Sequence, residues 1–193
     1  SVSLIDITTQ SGANTAIIIQ QRENFLPQPP EDIAKHDKEN FIRHFQNRKD
    51  AEIKHFGKQD RPDIETYSVT KETLSSIETA NFVKKISPDI VMIFGSNMIR
   101  EPLFGALPKY KINLHLGLSP WYKGDATLFW PFYNMEPNNA GSTFHIIADK
   151  PDAGEVIHQV VPTLSRSDRI HDVACKVVLE SSEAAIDILR HYE

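Results

Sequence analysis

The residues of this chain best suited to chemistry are Asn113, His115 and Asp152. Asn113 and His115 end the short run Lys111-Ile112-Asn113-Leu114-His115, which follows a proline-containing connection and reads as a strand. Residues two apart on a strand project to one face, so the amide and the imidazole share one side of a sheet. The next stretch, Leu116-Gly117-Leu118-Ser119-Pro120-Trp121-Tyr122-Lys123-Gly124, is punctuated by Gly117, Pro120 and Gly124, which let backbone pass close to a ligand. Farther along, Ala148-Asp149-Lys150-Pro151-Asp152-Ala153-Gly154 carries a carboxylate on a loop between two further strands.

These residue types support acyl transfer to an amine. An imidazole exchanges protons near neutral pH. An Asn113 amide N–H can meet a developing oxyanion, an interaction worth about 3 kcal/mol in other enzymes. A carboxylate at Asp152 would orient the imidazole and favour its charged form. No serine nucleophile is required, because an amine attacks for itself. Taken singly, Asn-x-His on a strand is more often structural, and an Asp before a small-Gly turn is more often a turn-former. Spacing alone does not name a reaction.

The elements that must position these groups alternate between strand and helix. Thr15-Ala16-Ile17-Ile18-Ile19 is a β-rich run, and Pro27, Pro29 and Pro30 punctuate the loop after it. From Glu31 to about Phe56 the pattern is helical and strongly charged, with Ile33, Phe41, Phe45, Ile53 and Phe56 as sparse apolar positions and Gly57 as a stop. Such a polar helix reads as a surface or lid element. Ile64 to Val69 predicts a strand, and Thr70 the N-cap of a helix running to Ile86. Ile90-Val91-Met92-Ile93-Phe94 is the clearest buried strand. Asp125 caps an expected helix over Ala126 to Tyr133, where Phe129, Phe132 and Tyr133 read as core. Strands near Ser142–Ile147 and Val156–Val161 precede a final amphipathic helix from about Asp168 to Leu189. This order predicts one α/β domain over 1–193, with a sheet parallel at least in its first half.

The chain has 193 residues, 40% of them apolar, and a formal net charge of −5, so no global field favours nucleic acid. Cys175 is its single cysteine, which excludes an intrachain disulfide and fits a reducing cytosol. It lies in an apolar helical pattern and reads as a small buried hydrophobe. No apolar run approaches the about 18 residues that span a bilayer, and Ser1-Val2-Ser3-Leu4-Ile5-Asp6 has no signal-peptide character. A cytoplasmic protein with no membrane and no nucleic-acid partner is expected. His145, His158 and His171 lack metal-ligand spacing, so no metal is expected.

The ordered motifs resemble the formyltransferase family that uses 10-formyltetrahydrofolate. That family's signature is an Asn-x-His strand, then Ser-Leu-Leu-Pro and a Gly, then an Asp-(Thr/Ala/Gly)-Gly turn. Here the matching residues are Asn113-Leu114-His115, Gly117-Leu118-Ser119-Pro120, Tyr122-Lys123-Gly124 and Asp152-Ala153-Gly154, with Ala140-Gly141-Ser142-Thr143-Phe144-His145 resembling the intervening strand. The likeness runs roughly from Ser87 to Leu189. It implies a single Rossmann-like sheet, mixed and mostly parallel, flanked by helices. It also implies Asn113, His115 and Asp152 as catalytic residues and 10-formyltetrahydrofolate as formyl donor. The pteridine would meet Phe94 and the loop Gly95-Ser96-Asn97-Met98-Ile99 on one side. On the other it would meet Ile147-Ala148-Asp149-Lys150-Pro151. Two departures stand out. Gly117 replaces the usual Ser and Ser119 the second Leu. Ser1–Gly12 is too short for the family's leading strand, turn and helix, so the first strand is either missing or replaced.

The Asp-Ala-Gly turn and the Leu-x-Leu-Ser-Pro-x-Tyr-x-Gly variation look more like the sugar-modifying branch than the purine enzyme, which makes a primary amine on a nucleotide-linked amino sugar the leading acceptor. Gly117, Trp121, Tyr122, Lys123 and Gly124 are its candidate contacts, although a solvated role for Lys123 is the blander reading. A tRNA acceptor is disfavoured, because that enzyme carries a C-terminal RNA-binding domain and this chain ends after its last helix. The rivals are a 10-formyltetrahydrofolate hydrolase, which typically has an N-terminal regulatory domain, and a non-catalytic binding domain that retains the fold. The oligomeric state is not legible.

Overall fold

The computed structural model describes residues 15–21, 27–57, 64–148 and 154–191. Strand β1 (Ala16–Gln20) pairs in parallel with β2 (Glu65–Val69), Ala16 opposite Glu65. Strand β3 (Ile90–Phe94) pairs in parallel with β4 (Tyr110–His115), and β4 is antiparallel to β5 (Ser142–Ile146), which is antiparallel to β6 (Val156–Val160). Among the described residues the strands therefore form two hydrogen-bonded sheets, where a single, mostly parallel one was expected. The parallel ladders are those of the first half; antiparallel pairing begins where β4 turns back through a loop rather than a long crossover helix. The two sheets are linked at their carboxyl ends by side chains. Gln20 Nε2 donates to Asn97 Oδ1 at 2.5 Å, and Asn97 N–H donates to Gln20 Oε1 at 2.9 Å. Residues 1–14, on which the leading strand turns, lie outside the described residues.

The core follows from period-two alternation. Ile112 and Leu114 of β4 and Phe144 and Ile146 of β5 turn to one face, where Ala185 and Ile186 of the last helix, α5 (Ile170–Arg190), cover them. Cys175 is buried in α5 as expected, and burial foremost, then Glu52 and Asp172, pushes its thiol up to about 11. No helix among the described residues is long and apolar enough to cross a membrane.

The charged segment forms α1 (Lys35–Phe56), stopped at Gly57, whose φ of 65° suits glycine and whose N–H caps Ile53 O at 2.9 Å. Only Ala51 of α1 is buried. Charge anchors it to α5 instead: Lys54 Nζ and His55 Nε2 donate to Asp172 Oδ1 at 2.7 and 2.8 Å, and the His44 and His171 rings meet at 4.6 Å.

Two helix starts differ from the sequence expectation. The helix predicted from Thr70 begins instead at Ile77, as α2 (Ile77–Ile86), with Ser76 as N-cap accepting from Thr79 N–H at 3.3 Å. Upstream, Thr70 N–H donates to Thr73 Oγ1 at 2.8 Å and Thr70 Oγ1 accepts from Thr73 N–H at 3.3 Å, so Thr70 caps a single turn closed by Leu74 N–H on Thr70 O at 3.0 Å, which ends before α2 begins. After the short α3 (Leu103–Ala106), the helix expected over Ala126 to Tyr133 shrinks to α4 (Trp130–Tyr133). Asp125 Oδ1 does accept Ala126 N–H, at 2.8 Å, but Ala126 sits at φ 53° and breaks the helical path.

Candidate active site

The β4–β5 register places Asn113 opposite His145 and His115 opposite Thr143. Because Ile112, Leu114, Phe144 and Ile146 turn to α5, these four polar side chains share the other face. His145 Nδ1 lies 2.9 Å from the Ile146 carbonyl, which only accepts, so Nδ1 carries the proton and Nε2 is an acceptor. Asn113 Nδ2 then donates to that Nε2 at 3.2 Å, which fixes the amide's orientation. Among the described residues the second amide N–H has no other partner, which leaves it for a ligand. By sequence alone His145 is part of a strand motif and lacks metal-ligand spacing. The signal for more was present: Thr143 and His145 are two polar residues on one face, as are Asn113 and His115, but their pairing needed the register.

His115 is 8% exposed, and its surroundings are polar rather than apolar. Nε2 donates to the Tyr122 carbonyl at 2.9 Å. The loop that supplies this carbonyl is stapled from β5 and β6. Thr143 Oγ1 donates to Gly117 O at 2.7 Å and accepts from Ser119 N–H at 3.0 Å and Gln159 Nε2 at 3.1 Å. Gln159 Nε2 also reaches Ser119 O at 2.8 Å. The Ser119 hydroxyl, at the second departure from the family pattern, is buried with no partner among the described residues. Thr143→Val, isosteric but unable to make these bonds, is expected to lower unfolding free energy by about 2–4 kcal/mol, because the Gly117 carbonyl and Ser119 N–H would be left buried and unpaired. A urea titration checks this, and an unchanged midpoint would show that water replaces the hydroxyl.

On the acceptor side, Trp121 is 69% exposed, and Lys123 and Gly124 also face solvent. Tyr122 is buried; its hydroxyl donates to Glu136 Oε2 at 2.6 Å and accepts from Asn134 Nδ2 at 3.3 Å. The bond to Glu136 raises the Tyr122 phenol and lowers the Glu136 carboxyl, as a donor and a carboxylate acceptor do to one another. Tyr122 thus supports the loop from inside, while Trp121 meets solvent. The expectation that Phe129 and Tyr133 are core is corrected. Both face solvent, in ring contact with each other and with Trp130, and only Phe132 of the three packs inward. Truncation of the expected helix to α4 removes the spacing on which that expectation rested.

Of the residues expected around the pteridine, Phe94 ends β3 and Gly95 follows at φ 62°. Ser96 Oγ donates to Asn97 O at 2.9 Å, Gln20 holds Asn97, Met98 is exposed, and Ile99 packs against the Val69, Leu74 and Leu103 cluster. Opposite, Ile147 N–H donates to Lys111 O at 2.9 Å and Ala148 is exposed. Asp149, Lys150, Pro151 and Asp152 lie outside the described residues. Gly154, which closes their turn, lies so near β5 that a Cβ would sit 1.6 Å from Ile146 O and 3.5 Å from His145 Nδ1. No other residue fits there.

The profile of the family described as Formyl transferase matches residues 14–189. This chain belongs to the formyl transferase family. The match reaches well before Ser87, where the motif likeness began, and takes in β1 and α1. A methionyl-tRNA formyltransferase from Clostridium acetobutylicum is 33% identical over 105 residues, covering 51% of this chain and 33% of that protein. The chain therefore spans a third of that relative's length. A glycinamide ribonucleotide transformylase 1 from Symbiobacterium toebii shares the fold, with a TM-score of 0.65 at 15% identity, over 97% of this chain and 79% of the other. A formyltetrahydrofolate deformylase from Pseudomonas syringae pv. tomato gives 0.54 at 21% identity, over 64% of this chain and 44% of the other.

Proposed function

We propose that this formyl transferase family member moves a formyl group from 10-formyltetrahydrofolate to a primary amine, without a covalent enzyme intermediate. The observation that carries this reading is the side-by-side placement of Asn113 and His115 at the end of β4, with His145 orienting the amide. An amine attacking the formyl carbon generates an oxyanion and a surplus proton. The Asn113 N–H is the donor for the first, and the His115 imidazole is the carrier for the second. Asp152 completes the set, orienting the imidazole. In support, Gly154 lies two positions along the chain and packs beside His145. The loops at Phe94–Ile99 and Ile147–Pro151 are the proposed walls for the pteridine, which backbone groups would contact.

The acceptor proposed is the amine of a nucleotide-linked amino sugar, with Gly117, Trp121, Tyr122, Lys123 and Gly124 forming its side of the cleft. The exposed Trp121 ring supports this, since an aromatic face stacks on a sugar or a base. The setting proposed is the cytoplasm. The test is to incubate the protein with 10-formyltetrahydrofolate and follow tetrahydrofolate absorbance. Release that requires an amino sugar is the expected result. Release without any amine would make the protein a hydrolase, and no release under either condition would leave a binding domain.

A further inference from the structure

We propose that the groove between α1 and α5 binds a phosphate-bearing small molecule, held by Arg43 from one wall and Arg169 from the other. The inference goes beyond the functional reading above and does not depend on it.

The groove has a volume of about 770 Å³, within the range of small-molecule sites. Along α1 it is lined by Asn40, Arg43, His44, Asn47, Ala51 and Lys54, residues three or four apart that form one stripe of the helix. A stripe turned toward a neighbouring element is ordinarily apolar. This one is made of amide, guanidinium, imidazole and ammonium groups, with Ala51 its one buried member. Apolar burial gains little across such a stripe, and an anion between the helices would supply the missing attraction. Because α5 covers the apolar face of β4 and β5, the groove along its first turn is separate from the polar face that carries Asn113 and His115.

The distribution of charge points to an anion. Lys54 pairs with Asp172 at 2.7 Å, and elsewhere on the same two helices Arg48 pairs with Glu52 at 2.8 Å and Lys176 with Asp168 at 2.7 Å. Arg43 donates only to the neutral Asn40 amide oxygen, at 2.5 Å, and among the described residues neither Arg43 nor Arg169 has a carboxylate partner. Asp50, the groove's other acid, accepts from Gln46 at 2.8 Å. A guanidinium presents a planar fork of donors that matches two phosphate oxygens, so one fork on each wall suits an anion with oxygens on both sides. Among the described residues the Asn47 amide has no hydrogen-bond partner, nor do the Ile170 and His171 N–H groups in the first turn of α5. These are further donors, at a helix end whose dipole favours negative charge.

Two imidazoles make the site sensitive to pH. His44 and His171 line the groove with their rings 4.6 Å apart. Burial foremost, then Arg48, lowers the His44 pKa. Burial, then His44 and Arg48, lowers that of His171, against a hydrogen bond with the His44 backbone and the charge of Glu52. Arg43, Asp50 and Lys54 of α1 and Arg169 and Asp172 at the start of α5 are the other charges along the groove. An anion among these groups favours the charged rings, so binding takes up protons and strengthens as pH falls.

The test is calorimetric titration of the whole chain with pyrophosphate at low ionic strength. A Kd below about 1 mM at about pH 7 is expected, and a weaker one would overturn the proposal. Arg43→Gln with Arg169→Gln is expected to weaken binding at least about tenfold. An unchanged Kd in the folded variant would put the anion elsewhere and overturn it also. A second readout needs no variant. In the unaltered protein labelled with ¹⁵N-histidine, pyrophosphate is expected to move the His44 and His171 resonances, and movement confined to other histidines would defeat the proposal. Sulfate, whose charge stays fixed over the range, is expected to bind at least about threefold more tightly at about pH 6 than at about pH 8. Constant affinity would overturn the part given to the imidazoles. Uridine diphosphate binding more tightly than pyrophosphate would identify the phosphate as a nucleotide's, and weaker binding as a free inorganic anion's; each supports the phosphate chemistry.

Discussion

His115→Ala is expected to lower formyl transfer at least about a hundredfold while folate binding is largely kept, and Asp152→Ala to do the same. The reasoning is that an imidazole shuttling a proton acts on the transition state, whereas the proposed pteridine contacts in Phe94–Ile99 and Ile147–Pro151 are backbone groups that a side-chain substitution leaves in place. His115→Ala also deletes the bond from Nε2 to the Tyr122 carbonyl, so a stability loss of about 1 kcal/mol should accompany it. A urea titration separates that loss from the catalytic one. Asn113→Ala should depress kcat more than it weakens substrate binding, because an oxyanion donor is worth about 3 kcal/mol only once charge develops. Steady-state turnover with the amine acceptor, set beside calorimetric folate binding, checks all three variants. Near-normal turnover in His115→Ala or Asp152→Ala would remove that residue from the mechanism, and a pure binding defect in Asn113→Ala would contradict the oxyanion role.

What the sequence revealed of this site was what local periodicity controls. That Asn113 and His115 share a face follows from the pleat of one strand, and the structure places them so. That His145 faces Asn113 depends on how far β5 slides along β4, which no local pattern in either strand specifies. Gly117 was read as a change on the acceptor side; its contact with the His115 ring arises only when the loop folds back beneath the strand end. The helix starts failed for a related reason. Thr70 is an acceptable N-cap by type, and its hydroxyl does accept Thr73 N–H at 3.3 Å, but the turn it starts gives way at Ser76, which caps α2. The aromatic residues after Thr127 were placed in the core on a helical period that the chain does not keep past Ala126. Strand positions fared best, since β-branched runs such as Ile17-Ile18-Ile19 and Ile90-Val91 have few other ways to bury themselves.

The charged helix α1, whose place in the fold the sequence left open, carries the other large expected effect. Asp172 lies in the first turn of α5 with its side chain 12% exposed. It accepts Lys54 Nζ at 2.7 Å, His55 Nε2 at 2.8 Å and Arg169 N–H at 3.1 Å. The Lys54 ammonium foremost, then His55 and the Arg169 N–H, hold its carboxyl well below the usual carboxylate range. Asp172→Asn keeps the shape but removes the charge that assists the bonds from His55 and the Arg169 N–H, while the exposed Lys54 returns to water, and is expected to cost about 1–2 kcal/mol at about pH 7.5. The same group dictates an acid response. Its folded-state affinity for protons is below the unfolded one, so its contribution is complete above the unfolded pKa and drains away as pH falls below about 4. A second loss begins earlier. Burial foremost, then Arg48, depresses the His44 imidazole, and burial, then His44 and Arg48, depresses His171. Both rings are harder to protonate folded than unfolded, so stability declines as pH falls below about 6.5. Arg43, Lys54 and Arg169 line the groove between the helices and add to the repulsion once the rings charge, against Asp50 and Asp172 in the groove and Glu52 near His171. Unfolding titrations across this range should therefore show an upper decline that His44→Gln with His171→Gln flattens, and a lower one that Asp172→Asn removes. A wild-type midpoint constant from about pH 7.5 to about pH 5 would sink the histidine part. An Asp172→Asn protein as stable as the parent at neutral pH would show that α1 is held to α5 by something other than this carboxylate.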